Sequence, residues 1–141
     1  MTKEEKQLLL VDLSARLPYG VICYGVTKDT DEDGNYINKG VTDILYELHS
    51  YKCCYGLVGL MNECDIESIK PYLRPMPSMN EEEDEEYRNI DNRSYSCPMI
   101  YAHILASERI DWLNVHHFDY RGLIEKGLAI EVTKENNPYK N

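Results

Sequence analysis

Leu17-Pro18-Tyr19-Gly20-Val21-Ile22-Cys23-Tyr24-Gly25-Val26 is where the chain changes character. Upstream of it, Leu9, Leu10, Leu13 and Leu17 recur at helical spacing. Such a stripe belongs to an amphipathic helix that must bury one side. Thr2-Lys3-Glu4-Glu5 supplies a capping box at its start, in which a Thr oxygen and a Glu carboxylate satisfy each other's orphan amides. Pro18 ends it, since proline lacks the N–H and biases the preceding residue away from helical geometry. The spacing therefore predicts a helix over 3–16. The residues from Tyr19 to Val26 are β-branched and aromatic and read as a strand.

Beyond that strand the pattern is less regular. Residues 29–40 form a polar connection. In the next segment Val41, Ile44, Leu45 and Leu48 fit one helical face, whereas Ile44, Tyr46 and Leu48 alternate as in a strand. Residues 52–61 read as a strand pair or one bent strand, with Gly56 and Gly59 permitting a bulge. Residues 65–72 read as a short strand or turn. Pro71, Pro75 and Pro77 mark a stiff linker and a sub-domain boundary.

Ser78-Met79-Asn80-Glu81 has the form of a second capping box, opening a helix over 79–90. A loop is expected over 89–97. Residues 98–117 are helix-compatible, most firmly over 108–117, with 99–105 also readable as a strand. Asp119 is placed to cap a helix from Tyr120 to Lys126, ended by a left-handed Gly127. Phe118 and Leu123 would staple its start. Residues 128–132 return as a short strand, and the polar last nine residues are expected to be loose. The organisation expected is a helix plus β-rich sub-domain over 1–77, a helical sub-domain over 78–132 packed on it, and a loose tail over 133–141. The fold class is α+β: an N-terminal helix, a small antiparallel curled sheet or SH3-like barrel, and C-terminal helices.

The chain has 141 residues, 43% of them hydrophobic. A chain of this length buries roughly two-thirds of its unfolded surface, enough for a core without metal or disulfide staples. No apolar run approaches the ~18 residues of a membrane span. The acidic N-terminus is unlike a secretory signal, so the expected setting is cytoplasmic. The net charge of −10 argues against direct binding to a nucleic-acid backbone, which needs clustered Lys and Arg. Much of the negative charge lies in Glu81 to Glu86, an unbroken acidic run. It reads either as a solvated helix start or as a patch imitating a nucleic-acid backbone. The five cysteines, Cys23, Cys53, Cys54, Cys64 and Cys97, form no C-x-x-C pair. Free thiols are expected, without structural zinc.

Asp29-x-Asp31-x-Asp33-Gly34 is the most conspicuous motif. Alternate carboxylates before a Gly can wrap a hard cation. However, the twelfth position, where a bidentate Glu is required, is Gly40. An acidic turn between strands is the simpler reading. His116, His117 and Asp119 are weak candidates for acid–base or metal-dependent hydrolysis. They are adjacent in sequence, but a working site would need them to converge in space. Phosphate loops, nucleophile elbows and H-E-x-x-H are absent from the sequence. Tyrosine is the compositional oddity, with 12 against one Trp and one Phe. It suits half-buried strands and binding faces alike.

Ile69-Lys70-Pro71-Tyr72-Leu73-Arg74-Pro75-Met76, Asp111-Trp112-Leu113-Asn114 and the run from His116 through Arg121 to Ala129 carry a resemblance. They are similar to small uncharacterised proteins of gut anaerobic bacteria and of their phages, prophages and mobile elements. Leu17-Pro18-Tyr19-Gly20-Val21 resembles that family's opening, so the resemblance covers about half the chain. It implies an origin rather than an activity, and no catalytic residues follow from it.

The reading that best fits is a non-catalytic binding protein of mobile-element origin. It would sequester a nucleotide signal or block a host protein as a counter-defence. Tyr72, Arg74, Tyr120, Arg121 and Lys126 would be the contacts, with tyrosines stacking and cations meeting phosphate. No cofactor is expected, and a homo-oligomer is left open. The alternatives are a small His/Asp-dependent or metal-dependent hydrolase and an acidic nucleic-acid mimic.

Overall fold

The computed structural model describes residues 1–25, 28–30, 32–38, 44–47, 65–96 and 99–140. Helix α1 is Lys3–Arg16, opened by the expected capping box. The Thr2 amide donates to Glu5 Oε2 at 2.7 Å and the Glu5 amide to Thr2 Oγ1 at 3.1 Å. A single 3-10 turn, Leu17–Tyr19, accommodates Pro18 at its first turn and ends on Gly20, whose φ of +66° is left-handed. Glycine takes that conformation without a Cβ penalty.

The strands are β1 (Ile22–Gly25), β2 (Lys28–Thr30), β3 (Tyr36–Asn38), β4 (Ile44–Glu47), β5 (Lys70–Leu73) and β6 (Ile130–Glu131). β1 pairs antiparallel with β4, Cys23 opposite Tyr46, and with β5, Cys23 opposite Pro71. β5 pairs parallel with β6, Tyr72 opposite Ile130. The sheet order is β4-β1-β5-β6, with β2 and β3 forming a separate antiparallel hairpin.

The α+β class holds, but the sheet is open and mixed, not a wholly antiparallel sheet or a closed SH3-like barrel. The physical reason is the return of the chain. After β5 it runs through two helices before β6 arrives, and a connection of that length permits parallel pairing. The segment at 41–48 is resolved as strand over 44–47. The strand reading of 52–61 lies outside the described residues.

Helices α2 (Glu81–Ser96) and α3 (Met99–Val115) form a pair. α2 covers residues 89–96 of the expected loop at 89–97, and α3 is helix where 99–105 also read as strand. The second capping box is shifted by two residues from Ser78-Met79-Asn80-Glu81. The Glu83 amide donates to Asn80 Oδ1 at 2.8 Å, and the Asn80 amide to Glu83 Oε2 at 3.0 Å. Pro75 and Pro77 hold the preceding 3-10 turn, Met76–Ser78, so the helix starts later.

No helix forms over 120–126. Gly122 has φ +70°, a left-handed conformation that a continuous right-handed helix over 120–126 would not contain. Asp119 nonetheless acts as a cap, for the turn that follows this glycine: its Oδ1 and Oδ2 accept from the Leu123 and Ile124 amides, each at 2.9 Å. Gly127 is left-handed as expected, with φ +70°.

The tail, expected to be loose, is tied down as far as Lys140. The Tyr139 hydroxyl donates to the Tyr72 carbonyl at 2.7 Å and accepts from the Ile22 amide at 3.1 Å. It thereby caps polar groups of β5 and β1. One core cluster takes Leu9, Leu13 and Leu17 from α1, Val21, Cys23, Ile69 and Leu73 from the sheet region, and Leu123, Leu128 and Ala129 from the C-terminal turn. It draws on both sides of residue 77. Burial pushes the Cys23 thiol pKa up, keeping it an inert core group.

Candidate functional site

The residues singled out by chemistry meet where α1, the end of α3 and the turn after it come together. α1 contributes Asp12 and Arg16, one helical turn apart and both wholly buried. Arg16 Nε donates to Asp12 Oδ2 at 2.7 Å, and its Nη2 donates to the Phe118 carbonyl at 2.8 Å. Arg121 Nε lies 3.3 Å from Asp12 Oδ1, close enough for ion pairing but too poorly aligned for a hydrogen bond. One buried carboxylate therefore faces two guanidinium groups. Both also approach the Tyr120 ring, with Arg16 Cζ 5.0 Å and Arg121 Cζ 5.2 Å from its centroid. The Tyr120 hydroxyl donates to Asn114 Oδ1 at 3.0 Å.

His116 and His117 part company at the end of α3. His116 lies against the Trp112 ring, centroids 4.2 Å apart, and its Nδ1 is 3.7 Å from Glu83 Oε1. His117 turns the chain with φ +60°, rare for a residue with a side chain. Its ring stacks on Tyr139, centroids 3.8 Å apart and planes within 8°. Burial, with Arg16, His116 and Arg74 adding positive charge, pushes the His117 pKa down to about 4. A neutral, stacked imidazole results, and its Nδ1 is buried without a hydrogen-bond partner among the described residues. Asp119 is the third member of the expected constellation. Both its oxygens are occupied by backbone amides, so the cap leaves it turned away from acid–base work.

Arg74 is likewise engaged. Its Nη1 and Nη2 grip Glu83 Oε1 and Oε2, each at 2.8 Å, and its Cζ stands 4.3 Å over the Phe118 ring. That bidentate grip holds the Glu83 carboxyl below the usual carboxylate range. Phe118 stacks in turn on Trp112, at 5.7 Å and 10°, and Trp112 Nε1 donates to Glu86. The acidic run thus divides. Glu83 turns inward, Asp84 pairs with Arg88 at 2.8 Å, and Glu81, Glu82, Glu85 and Glu86 are exposed.

The structure brings Tyr120 and Arg121 together but sets Tyr72, on β5, and Arg74, just after it and bridged to Phe118, on the other side of the 117–119 segment. Lys126 is exposed in the turn before Gly127. Asp29 lies on β2 and Asp33 in the turn of the β2–β3 hairpin, as an acidic connection between strands would have them. Asp31 lies outside the described residues. Among the described residues, no group of three His, Cys, Asp or Glu side chains could hold a metal ion.

Sequence reasoning missed Asp12, Arg16, Asn114 and Tyr139. An Asp and an Arg four apart on a helix ordinarily signal an exposed pair. The available clue was their position beside Leu9 and Leu13 on the buried stripe. Set against protein-family models, curated proteins and solved structures, the chain matches none of them.

Proposed function

We propose that the chain is a non-catalytic binding protein that works by occupying a host protein, in the bacterial, mobile-element setting its resemblance implies. One observation carries this reading: Asp119, His117 and Arg74 are each taken up by contacts within the fold. Asp119 caps two amides, His117 is neutral and stacked, and Arg74 is locked on Glu83. A general acid or base must reach a substrate proton, and none of these is presented to one.

A protein partner is favoured over a nucleotide signal for the same reason. Of the three cations expected on phosphate, Lys126 is exposed, while Arg74 and Arg121 already face Glu83 and Asp12. Extracting either would strand a carboxylate that is wholly buried at Asp12. Of the described acids, Glu81, Glu82 and Glu85 stand exposed on one end of α2 and suit a basic partner.

The test is a pair of calorimetric titrations, one against cyclic nucleotides and one against host proteins captured from lysate and then purified. Saturable binding to a purified protein, without nucleotide binding at micromolar concentration, is the expected result. Nucleotide binding that is lost in Arg121→Ala would replace the protein partner with a small-molecule one.

A further inference from the structure

Helix α3 carries apolar residues on its outer side as well as on its buried one. Leu105 and Leu113 are buried, yet the opposite face exposes Ile104 (52%), Ile110 (37%) and Val115 (52%). Ile104 and Ile110 flank a polar line of His103, Ser107 and Asp111 on this outer face. A shallow groove of about 450 Å³ runs along this face, lined by His103, Ile104, Ser107, Glu108 and Asp111.

The residues of the face form a near-palindrome about Ser107. His103 and Asp111 lie four residues on either side of it, and Ile104 and Ile110 three. With 3.6 residues per turn, each pair falls on opposite flanks of Ser107, displaced by about 5–6 Å along the axis. A second copy laid antiparallel, Ser107 beside Ser107, therefore sets His103 level with the partner's Asp111. Ile104 becomes level with the partner's Ile110, and Glu108 with the partner's Ala106. An imidazole comes level with a carboxylate twice; Glu108, on the same flank as the partner's Glu108 and about 3 Å from it along the axis, is paired within its own chain with Arg93 at 2.6 Å. The small Ser107 at the crossing permits the close approach that interdigitating helices need. Asp111 is fixed on this face, because the Tyr19 hydroxyl donates to its Oδ1 at 2.7 Å. That bond, followed by burial and the Asp111 charge, pushes the Tyr19 pKa up to about 12.

We infer that this face is an interface between two copies of the chain, α3 packing antiparallel on α3 about a twofold axis beside Ser107. The interface is isologous, as closed dimers require. One helix pair is small by the standard of specific interfaces, so the dimer dissociates on dilution into the micromolar range.

Sedimentation equilibrium of the full chain over micromolar concentrations tests this, with a cross-linking arm. The expected result is a reversible monomer–dimer equilibrium, abolished in Ile104→Glu while that variant's circular dichroism and melting match the unsubstituted chain. Ser107→Cys, on the axis, links to its own copy under mild oxidation well beyond the background of the native cysteines. Val11→Cys, exposed on α1, stays at that background. A chain that is monomeric at every concentration, a dimer that survives Ile104→Glu, or no excess link at Ser107→Cys would each overturn the assignment.

Discussion

The guanidinium of Arg16 donates from Nη2 to the Phe118 carbonyl at 2.8 Å, joining residues 102 apart in sequence. The same side chain holds Asp12 through Nε, so α1 is fastened to the C-terminal turn by a wholly buried ion pair.

Removing one partner of that pair leaves the other charge buried and unmatched. Asp12→Asn is therefore expected to lower stability by about 3–5 kcal/mol. The double variant Asp12→Leu with Arg16→Met should lose clearly less than the sum of the two single changes, since apolar replacement removes both desolvation costs. Urea unfolding followed by the fluorescence of the single tryptophan, Trp112, measures both. Additive losses would show that the two residues act independently.

His117 makes stability depend on pH. Its folded pKa of about 4 lies below the ordinary 6.5, so the unfolded chain takes up a proton first as pH falls. The stabilisation is fully present above 6.5 and is lost progressively down to about 4. For this partly exposed ring the loss is on the order of 1–2 kcal/mol. His117→Asn, which tolerates positive φ, should flatten that limb of the stability profile. A limb of unchanged slope in the variant would assign the acid sensitivity to other groups.

Tyr139 is expected to matter through its hydroxyl. Tyr139→Phe keeps the stack on His117 but removes the bonds to the Ile22 amide and the Tyr72 carbonyl. Two hydrogen bonds of ordinary strength predict a loss of about 1–2 kcal/mol. Amide exchange at Ile22 should accelerate in step with it. Unaltered exchange at that amide would show that the tail does not brace the sheet.

These residues also show what was legible in the sequence. The Thr2–Glu5 box, the Pro18 stop and the Gly127 turn were readable because each rests on contacts a few residues apart. Asp119 was recognised as a cap. The helix after it was not broken in advance because a lone glycine, Gly122, is compatible with either outcome until its φ is known. The parallel pairing of β5 with β6, the burial of Arg16 and the docking of Tyr139 depend on contacts over distances no local pattern encodes. Of the candidate site, the residue types were visible, but their engagement with one another was not. Arg74 looks like a free cation beside prolines, and only the fold delivers Glu83 to it.

The acidic face should tune binding without carrying it. Glu81→Gln, Glu82→Gln and Glu85→Gln together remove three exposed charges, and rim charges act chiefly on association rate and salt dependence. The expected effect is less than about a tenfold fall in affinity for the captured partner, by slower association. Complete loss of binding in surface plasmon resonance would favour an imitator of a nucleic-acid backbone instead.

The most direct measurement is intact-mass spectrometry of the purified partner before and after prolonged incubation with a small molar fraction of this chain, beside calorimetry at equal molarity. Stoichiometric, saturable heat with the partner's mass unaltered, and the same affinity in His116→Ala, is the predicted result. A partner processed many times over by each molecule, with processing abolished in His116→Ala, would contradict a role confined to binding.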